Sequence, residues 1–316
     1  MVYVNFSPHQ CRKMIKSITF SSWKCTFNKF WKLSNLRRTM STKLEPIKMS
    51  YTSYESAADG GQKPPIIIMH GLFGCKSNWN SLSKTLHNMT RRKIITVDAR
   101  NHGDSPHTAE QSYPLMAEDI KFLMEDLSVK KASLVGHSMG GRAMMYFSVV
   151  YPELVESLIS VDISPVNNEE INNIQSIIDI IRSINLDINA PISKVRQFAD
   201  EQMKNSIESP MLRQFLLTNL IQVDNSYRWR INVESINVNF KNNLALFPPV
   251  QSMFHGPTYF IAGGNSTFLK PAHHEIIKQS MFPLAKFEYI PDAGHWLHAE
   301  KPTEFLKLVS QFLTTV

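Results

Sequence analysis

The sequence predicts an α/β fold: a mostly parallel central sheet with helices on both faces and a helical lid insertion. Three observations carry this. Short apolar runs of strand length alternate with helix-length amphipathic stretches, and that alternation makes consecutive strands parallel and lays helices on both faces. A Gly-x-Ser-x-Gly segment, Gly136 to Gly140, joins one apolar run to the helical stretch after it. The alternation breaks only over residues 166–255, where helical patterns follow one another without a strand run.

The elements read in order as follows. Ile47–Tyr54 is an opening strand, and Asp59-Gly60-Gly61 a turn. Further strand runs are 65–69, 93–97, 131–135, 157–163, 258–262 and 287–290. Such short apolar runs suit strands buried on both faces. Helical patterns lie between them at 78–88, 113–127, 139–151, 271–280 and 302–314. The interrupting stretch carries helices at 170–184, 194–206 and 210–223. In an open α/β sheet the site lies beyond the carboxyl ends of the strands, so an insertion there would form a lid; the alternative is a helical addition with no substrate role. Its Ile174, Ile177, Ile178, Ile181, Phe198, Phe215 and Leu216 are spaced for apolar helix faces. Those faces suit an acyl-chain pocket and core packing equally.

Composition excludes several function classes. The 316 residues are 43% hydrophobic and 19% charged, which supports a packed core rather than disorder. No apolar run reaches the ~18–20 residues of a membrane span. Cys11, Cys25 and Cys75 make neither a disulfide framework nor a zinc motif. The net charge of +7 comes from one end: residues 1–44 hold nine Lys and Arg and no acid, and beyond them 25 basic residues face 27 acidic ones. A nucleic-acid partner is therefore not indicated. Residues 1–40, rich in Lys, Arg, Ser, Thr and aromatics, have the composition of a mitochondrial transit peptide. The expected organisation is a transit peptide over 1–40 and a catalytic domain over 41–316 with its lid at 166–255, located in the mitochondrial matrix.

The chemistry centres on Ser138. Gly136-His137-Ser138-Met139-Gly140-Gly141 runs from a strand into a helix, the context of a nucleophile elbow. The sharp turn leaves no room for side chains two residues either side of the serine, and both positions are glycine. Ser138 then opens a helix, where free N–H groups favour a developing anion. A serine nucleophile needs a base. His295, in Asp292-Ala293-Gly294-His295-Trp296, follows the last strand run and lies at the same end of the sheet. His70, His102 and His137 are weaker candidates, with His102 read as a loop brace. The oxyanion needs two backbone donors: Met139 after the nucleophile, and Leu72 in His70-Gly71-Leu72-Phe73-Gly74, with Phe73 next in line. Cys75 is read as a small packed side chain.

These motifs resemble the α/β-hydrolase fold over residues ~47–316: His70-Gly71, Asp98 to Ser105 (DARNHGDS), Gly136 to Gly141 and Asp292 to His295. Finer marks are Arg100-Asn101-His102-Gly103, Val161-Asp162-Ile163-Ser164-Pro165-Val166, Arg228-Trp229-Arg230-Ile231-Asn232 and Gly263-Gly264-Asn265-Ser266. They are similar to a branch of small bacterial esterases and mitochondrial lipid-ester hydrolases. The resemblance implies a small-molecule or lipid ester substrate, an sn-1 diacylglycerol lipase activity and no metal or organic cofactor. It also implies association with the mitochondrial 2-oxoglutarate dehydrogenase complex, hence a rival reading as a binding or protective protein.

One departure concerns the third triad member. The usual acid follows the 258–262 strand, but that loop reads Gly263-Gly264-Asn265-Ser266, without a carboxylate. Asp162, at the end of the preceding strand, is the best substitute and keeps the chain order serine, acid, histidine. Ser266 is then placed to hydrogen-bond within the triad. Glu234 is the alternative acid. Asp292 reads as a loop brace, and Asp98 lies too far across the sheet. No histidine is followed five positions later by aspartate, so the H-x4-D acyltransferase signature is absent. Position 138 is serine, which argues against the carboxylate-nucleophile chemistry of epoxide hydrolases and dehalogenases.

Overall fold

Isoleucine, valine and methionine runs too short for helices build the centre of this molecule. The computed structural model describes residues 44–56, 63–167, 171–186 and 189–316. The basic segment 1–40 and the turn expected at 59–61 lie outside the described residues. Seven strands pair in one sheet: β1 (Tyr51–Tyr54), β2 (Ile66–Met69), β3 (Ile94–Val97), β4 (Ala132–His137), β5 (Val155–Val161), β8 (Thr258–Gly263) and β9 (Ala285–Ile290), in the order β1-β3-β2-β4-β5-β8-β9. Only β1 is antiparallel, against β3. It is shorter than the expected 47–54 run. Before it, Ile47 spends its N–H on Asp119 Oδ1 (2.8 Å) instead of on a strand.

Strand side chains alternate between the two faces. Ile67, Met69, Ile95, Val97, Leu134 and Leu158 share one core with α2 (Tyr113–Asp126) and α3 (Met139–Val150). Ile66, Ile68, Ile94, Val135, Ile159 and Ile261 share the other with α1 (Asn80–Thr90) and the C-terminal helix Pro302–Thr315. Helices thus cover both faces, as expected. β4 lies fourth of the seven, so its carboxyl end opens at the middle of the sheet.

Between β5 and β8 the chain leaves the sheet, and we call this stretch the lid segment. It holds α4 (Ile171–Ser183), α5 (Ile192–Lys204), α6 (Pro210–Leu217) and α7 (Val233–Asn239), the last running into a π turn at Phe240–Leu244. It also holds a hairpin, β6 (Leu220–Val223) with β7 (Ser226–Trp229). The expected helix over 210–223 therefore stops at Leu217. Asp224-Asn225 makes a two-residue turn, with Asp224 at φ 52°, and Ile221, Val223, Tyr227 and Trp229 alternate with exposed residues around it. That is hairpin chemistry. Phe198 is 47% exposed on α5, so it does not belong to the apolar lid face, whereas Ile178, Ile181 and Leu216 are buried.

Loops at the carboxyl edge are tied by buried polar groups. Arg100 grips Asp119 with Nε and Nη2, both at 2.7 Å, and neither side chain reaches solvent. Removing one partner of such a pair strands a buried charge. Asp119→Asn is expected to cost about 3–5 kcal/mol of stability, read from the urea midpoint. A loss below about 1 kcal/mol would show that the pair is solvated.

Candidate active site

Ser138 connects β4 to α3 with φ 52° and ψ −117°, a conformation that costs on the order of 1–3 kcal/mol outside glycine. Packing enforces it. A Cβ on Gly136 would stand 2.3 Å from the Gly140 carbonyl oxygen, and one on Gly140 2.5 Å from the backbone oxygens of Met69 and His70. The turn therefore closes only with glycine at both places. The Ser138 N–H donates to the Val161 carbonyl (3.0 Å), pinning the turn to the neighbouring strand. Met139 is the first residue of α3, so its N–H has no partner within the helix.

Asp162 follows β5 at φ 50° and is fully buried. Its carboxylate collects three donors. Oδ1 accepts from the Gly263 N–H (2.9 Å), and Oδ2 from the Ser266 hydroxyl and from His295 Nδ1 (2.6 Å). The three donors come from the end of β8, the loop beyond it and the loop after β9. A carboxylate so far from water needs such partners. His295 Nδ1 must carry the proton in this bond, which leaves Nε2 with a free lone pair. Phe268 stacks on the His295 ring at 4.1 Å, and Trp296 meets its edge at 5.3 Å.

The other candidate histidines act as braces. His70 donates from Nδ1 to the Gly71 carbonyl (2.8 Å) and accepts from the Ala99 N–H at Nε2 (3.1 Å). His102 donates from Nδ1 to the Arg100 carbonyl (2.9 Å) and accepts from the Phe73 N–H (3.3 Å). His137 donates from Nε2 to the His295 carbonyl (2.9 Å) and packs against the His295 and His298 rings. Burial holds all four of these imidazoles neutral: His102 and His298 are pushed down to about 3, His137 well below its ordinary value, and His70 also downward. No fixed positive charge therefore crowds His295 from this side.

The loop after β2 places Leu72 and Phe73 beside the serine. The bond to His102 occupies the Phe73 N–H, and Asn219 of the lid segment grips the Phe73 carbonyl (2.7 Å). A cavity of about 210 Å³ opens here, with Ser138 and His295 in its floor and Ile174, Ile177, Leu212 and Phe215 in its wall.

Glu234, the alternative acid, is not at the site. Both its oxygens are held by Arg182 of α4 at 3.0 Å, and its side chain is 69% exposed. Asp98 is engaged by Lys76, and Asp292 is exposed at φ 55°. Cys75 is buried, its Sγ 3.0 Å from Ser77 Oγ. Sequence reasoning missed Phe268, Asn219 and the brace role of His137. None carries a local signal, because each acts on a residue far away in the chain. Among the described residues no group of three His, Cys, Asp or Glu side chains is placed to hold a metal ion, and no helix is long and apolar enough to cross a membrane.

Residues 64–182 match the family profile described as alpha/beta hydrolase fold. The chain is 40% identical to the mouse (Mus musculus) protein named sn-1-specific diacylglycerol lipase ABHD11, over 85% of this chain and 86% of that one. It is 31% identical to esterase YbfF of Escherichia coli, over 82% of this chain and 96% of that one. A solved marine microorganism esterase superposes with TM-score 0.77 at 31% identity, covering 84% of this chain and 99% of that chain.

The neutral histidines set a pH dependence of stability. Their folded affinity for protons lies below that of the unfolded chain, so their contribution is full above about pH 6.5 and declines as pH falls toward 3. His298 stacks on Trp79 at 4.5 Å, and its Nδ1 is buried without a partner. His298→Leu is expected to flatten the acid decline by up to about 1.4 kcal/mol per pH unit between pH 6 and 4, measured by urea unfolding at several pH values. An unchanged slope would show that His298 is protonated in the folded protein.

Proposed function

The chain belongs to the α/β-hydrolase family and is a carboxylic ester hydrolase; on that premise we propose that it works through Ser138 as nucleophile, His295 as base and Asp162 as the acid that orients it. The observation that supports this best is the 2.6 Å bond from His295 Nδ1 to Asp162, in the cavity whose floor also holds Ser138.

The chemistry then runs as acyl transfer. Asp162 keeps the proton on Nδ1, so Nε2 accepts the Ser138 proton as Oγ attacks the ester carbonyl. The oxyanion receives the N–H groups of Met139 and Leu72; Phe73 has given its N–H to His102. Two fixed donors, that of Met139 at a helix N-terminus, stabilise the anion without reorganising. Collapse expels the alcohol oxygen, which takes the proton from Nε2 and leaves the acyl group on Ser138. A water then gives its proton to His295 and attacks the acyl carbonyl, and the carboxylic acid leaves as Ser138 regains its proton. Asp162 stabilises the transient imidazolium, and the neutral His137 and His298 add no opposing charge.

The substrate class is an ester with a sizeable apolar part, because Ile174, Ile177, Leu212 and Phe215 wall the cavity. Diacylglycerol, the substrate in the name of the mouse relative, is a first lipid to assay, in short-acyl and long-acyl forms. Residues 1–40 serve as a mitochondrial targeting segment on this reading, and residues 166–255 as the lid over the site.

A fluorophosphonate probe tests the machinery. The folded wild-type chain is expected to label, with labelling lost in Ser138→Ala and His295→Ala and kept in Glu234→Gln. Asp162→Asn is expected to lower ester turnover about ten-thousandfold. A folded wild-type chain that takes no label would overturn the mechanism. For location, residues 1–44 fused to a fluorescent reporter are expected to carry it into mitochondria; a cytosolic reporter would remove the targeting role.

A further inference from the structure

The space around Ser138 is divided unequally, and the chemistry says which half of an ester goes where. In the tetrahedral intermediate the reacting carbon carries four groups: Ser138 Oγ, the oxyanion, the alcohol oxygen and the acyl substituent. The oxyanion lies against the Met139 and Leu72 N–H groups. The alcohol oxygen must face His295, because it leaves with the proton held on Nε2. The acyl substituent is left with the remaining direction, away from His295.

Two cavities meet at Ser138, sharing Leu72, Ile174 and Phe268. The one of about 210 Å³ contains His295 and Trp296 and is the alcohol side. The other touches Met139 but not His295, is lined by Tyr113, Ile163, Phe240 and Leu244, and measures about 40 Å³. That is about one fifth of the room on the alcohol side and suits an acyl group of a few carbons. From this, and resting on the ester-hydrolase reading above, we infer that the enzyme takes esters of short acyl groups, acetyl to butanoyl in size, with bulky apolar alcohols.

The small chamber is stiff as well as small. Arg142, one turn into α3, is buried and lines it. Its guanidinium donates to the carbonyls of Ser164 (3.0 Å) and Val166 (3.3 Å), where the chain enters the lid segment, and of Ala245 (2.8 Å), near its far end. The Tyr113 hydroxyl donates to the neighbouring Leu244 carbonyl (2.6 Å). Opening the chamber breaks several charge-assisted bonds at once. The alcohol side is walled by the half-buried side chains of Ile177, Leu212, Phe215 and Trp296.

The test uses the full chain and matched esters. In a 4-nitrophenyl series, kcat/KM is expected to fall by about tenfold or more from butanoyl to octanoyl, since each methylene that does not fit costs on that scale. In an acetate series it is expected to rise from ethyl through hexyl to dodecyl. Phe240→Ala enlarges the chamber and is expected to raise the octanoyl-to-acetyl ratio about tenfold; Phe215→Ala, on the alcohol side, leaves that ratio in place. The wild-type series decides alone if a variant does not fold. Octanoyl or hexadecanoyl esters turned over as fast as acetyl would overturn the chamber assignment while leaving the hydrolase standing. A folded chain that hydrolyses none of the esters and takes no fluorophosphonate would overturn both.

Discussion

A carboxylate with no access to water holds the working edge of this molecule together. Asp162 sits at the end of β5 and draws its donors from the β8 terminus, from Ser266 beyond it and from His295 after β9. A buried charge is tolerable only when such partners surround it, so three chain segments distant in sequence must converge on one point. The same bonds that make Asp162 stable give His295 one tautomer and one orientation. Stability and the proposed proton transfer therefore rest on a single cluster, and a polar substitute at 162 would disturb both.

Around it stands a second network that carries no charge. His70, His102 and His137 each hold a backbone group with a ring nitrogen, and burial keeps them neutral. Histidine suits this task because a neutral imidazole both donates and accepts within one rigid plane. His102 in particular takes the Phe73 N–H, and Asn219 takes the Phe73 carbonyl. The loop beside Ser138 is thereby held from the loop after β3 and from the lid segment together. The brace around Phe73 selects Leu72 as the loop's proposed oxyanion donor, a choice that backbone accounting makes and side-chain chemistry does not.

The lid segment divides the space above Ser138 unevenly. Its entry and the far end of its helices are bolted to α3 through Arg142, whereas α4 and α6 present half-buried side chains over the larger cavity. A small braced chamber on one side and a larger, half-buried wall on the other is a way to be selective for one half of an ester and permissive for the other. The hairpin β6–β7 belongs to this scheme, since Asn219 immediately precedes it.

Much of this is legible in the sequence alone. The elbow at 136–141 is a local steric object: two glycines, a serine and a strand-to-helix turn suffice, and the packing distances at Gly136 and Gly140 give the reason. Sheet strands and flanking helices follow from short-range apolar periodicity, with boundaries shifted by a few residues at Ile47 and Ile192. The hairpin at 220–229 is signalled by the Asp224-Asn225 turn, but four-residue strands look like helix ends. The sequence by itself determined the fold class, the elbow and the two candidate acids. Only the tertiary structure decided between those acids as partners of His295, by burying Asp162 against it and giving Glu234 to Arg182. It alone decided which N–H the Phe73 loop keeps free and how the cavity is partitioned. The physical reason is that these outcomes depend on which loops meet at the carboxyl edge. Strand order sets that meeting, and strand order is a long-range property that no local pattern of residues encodes.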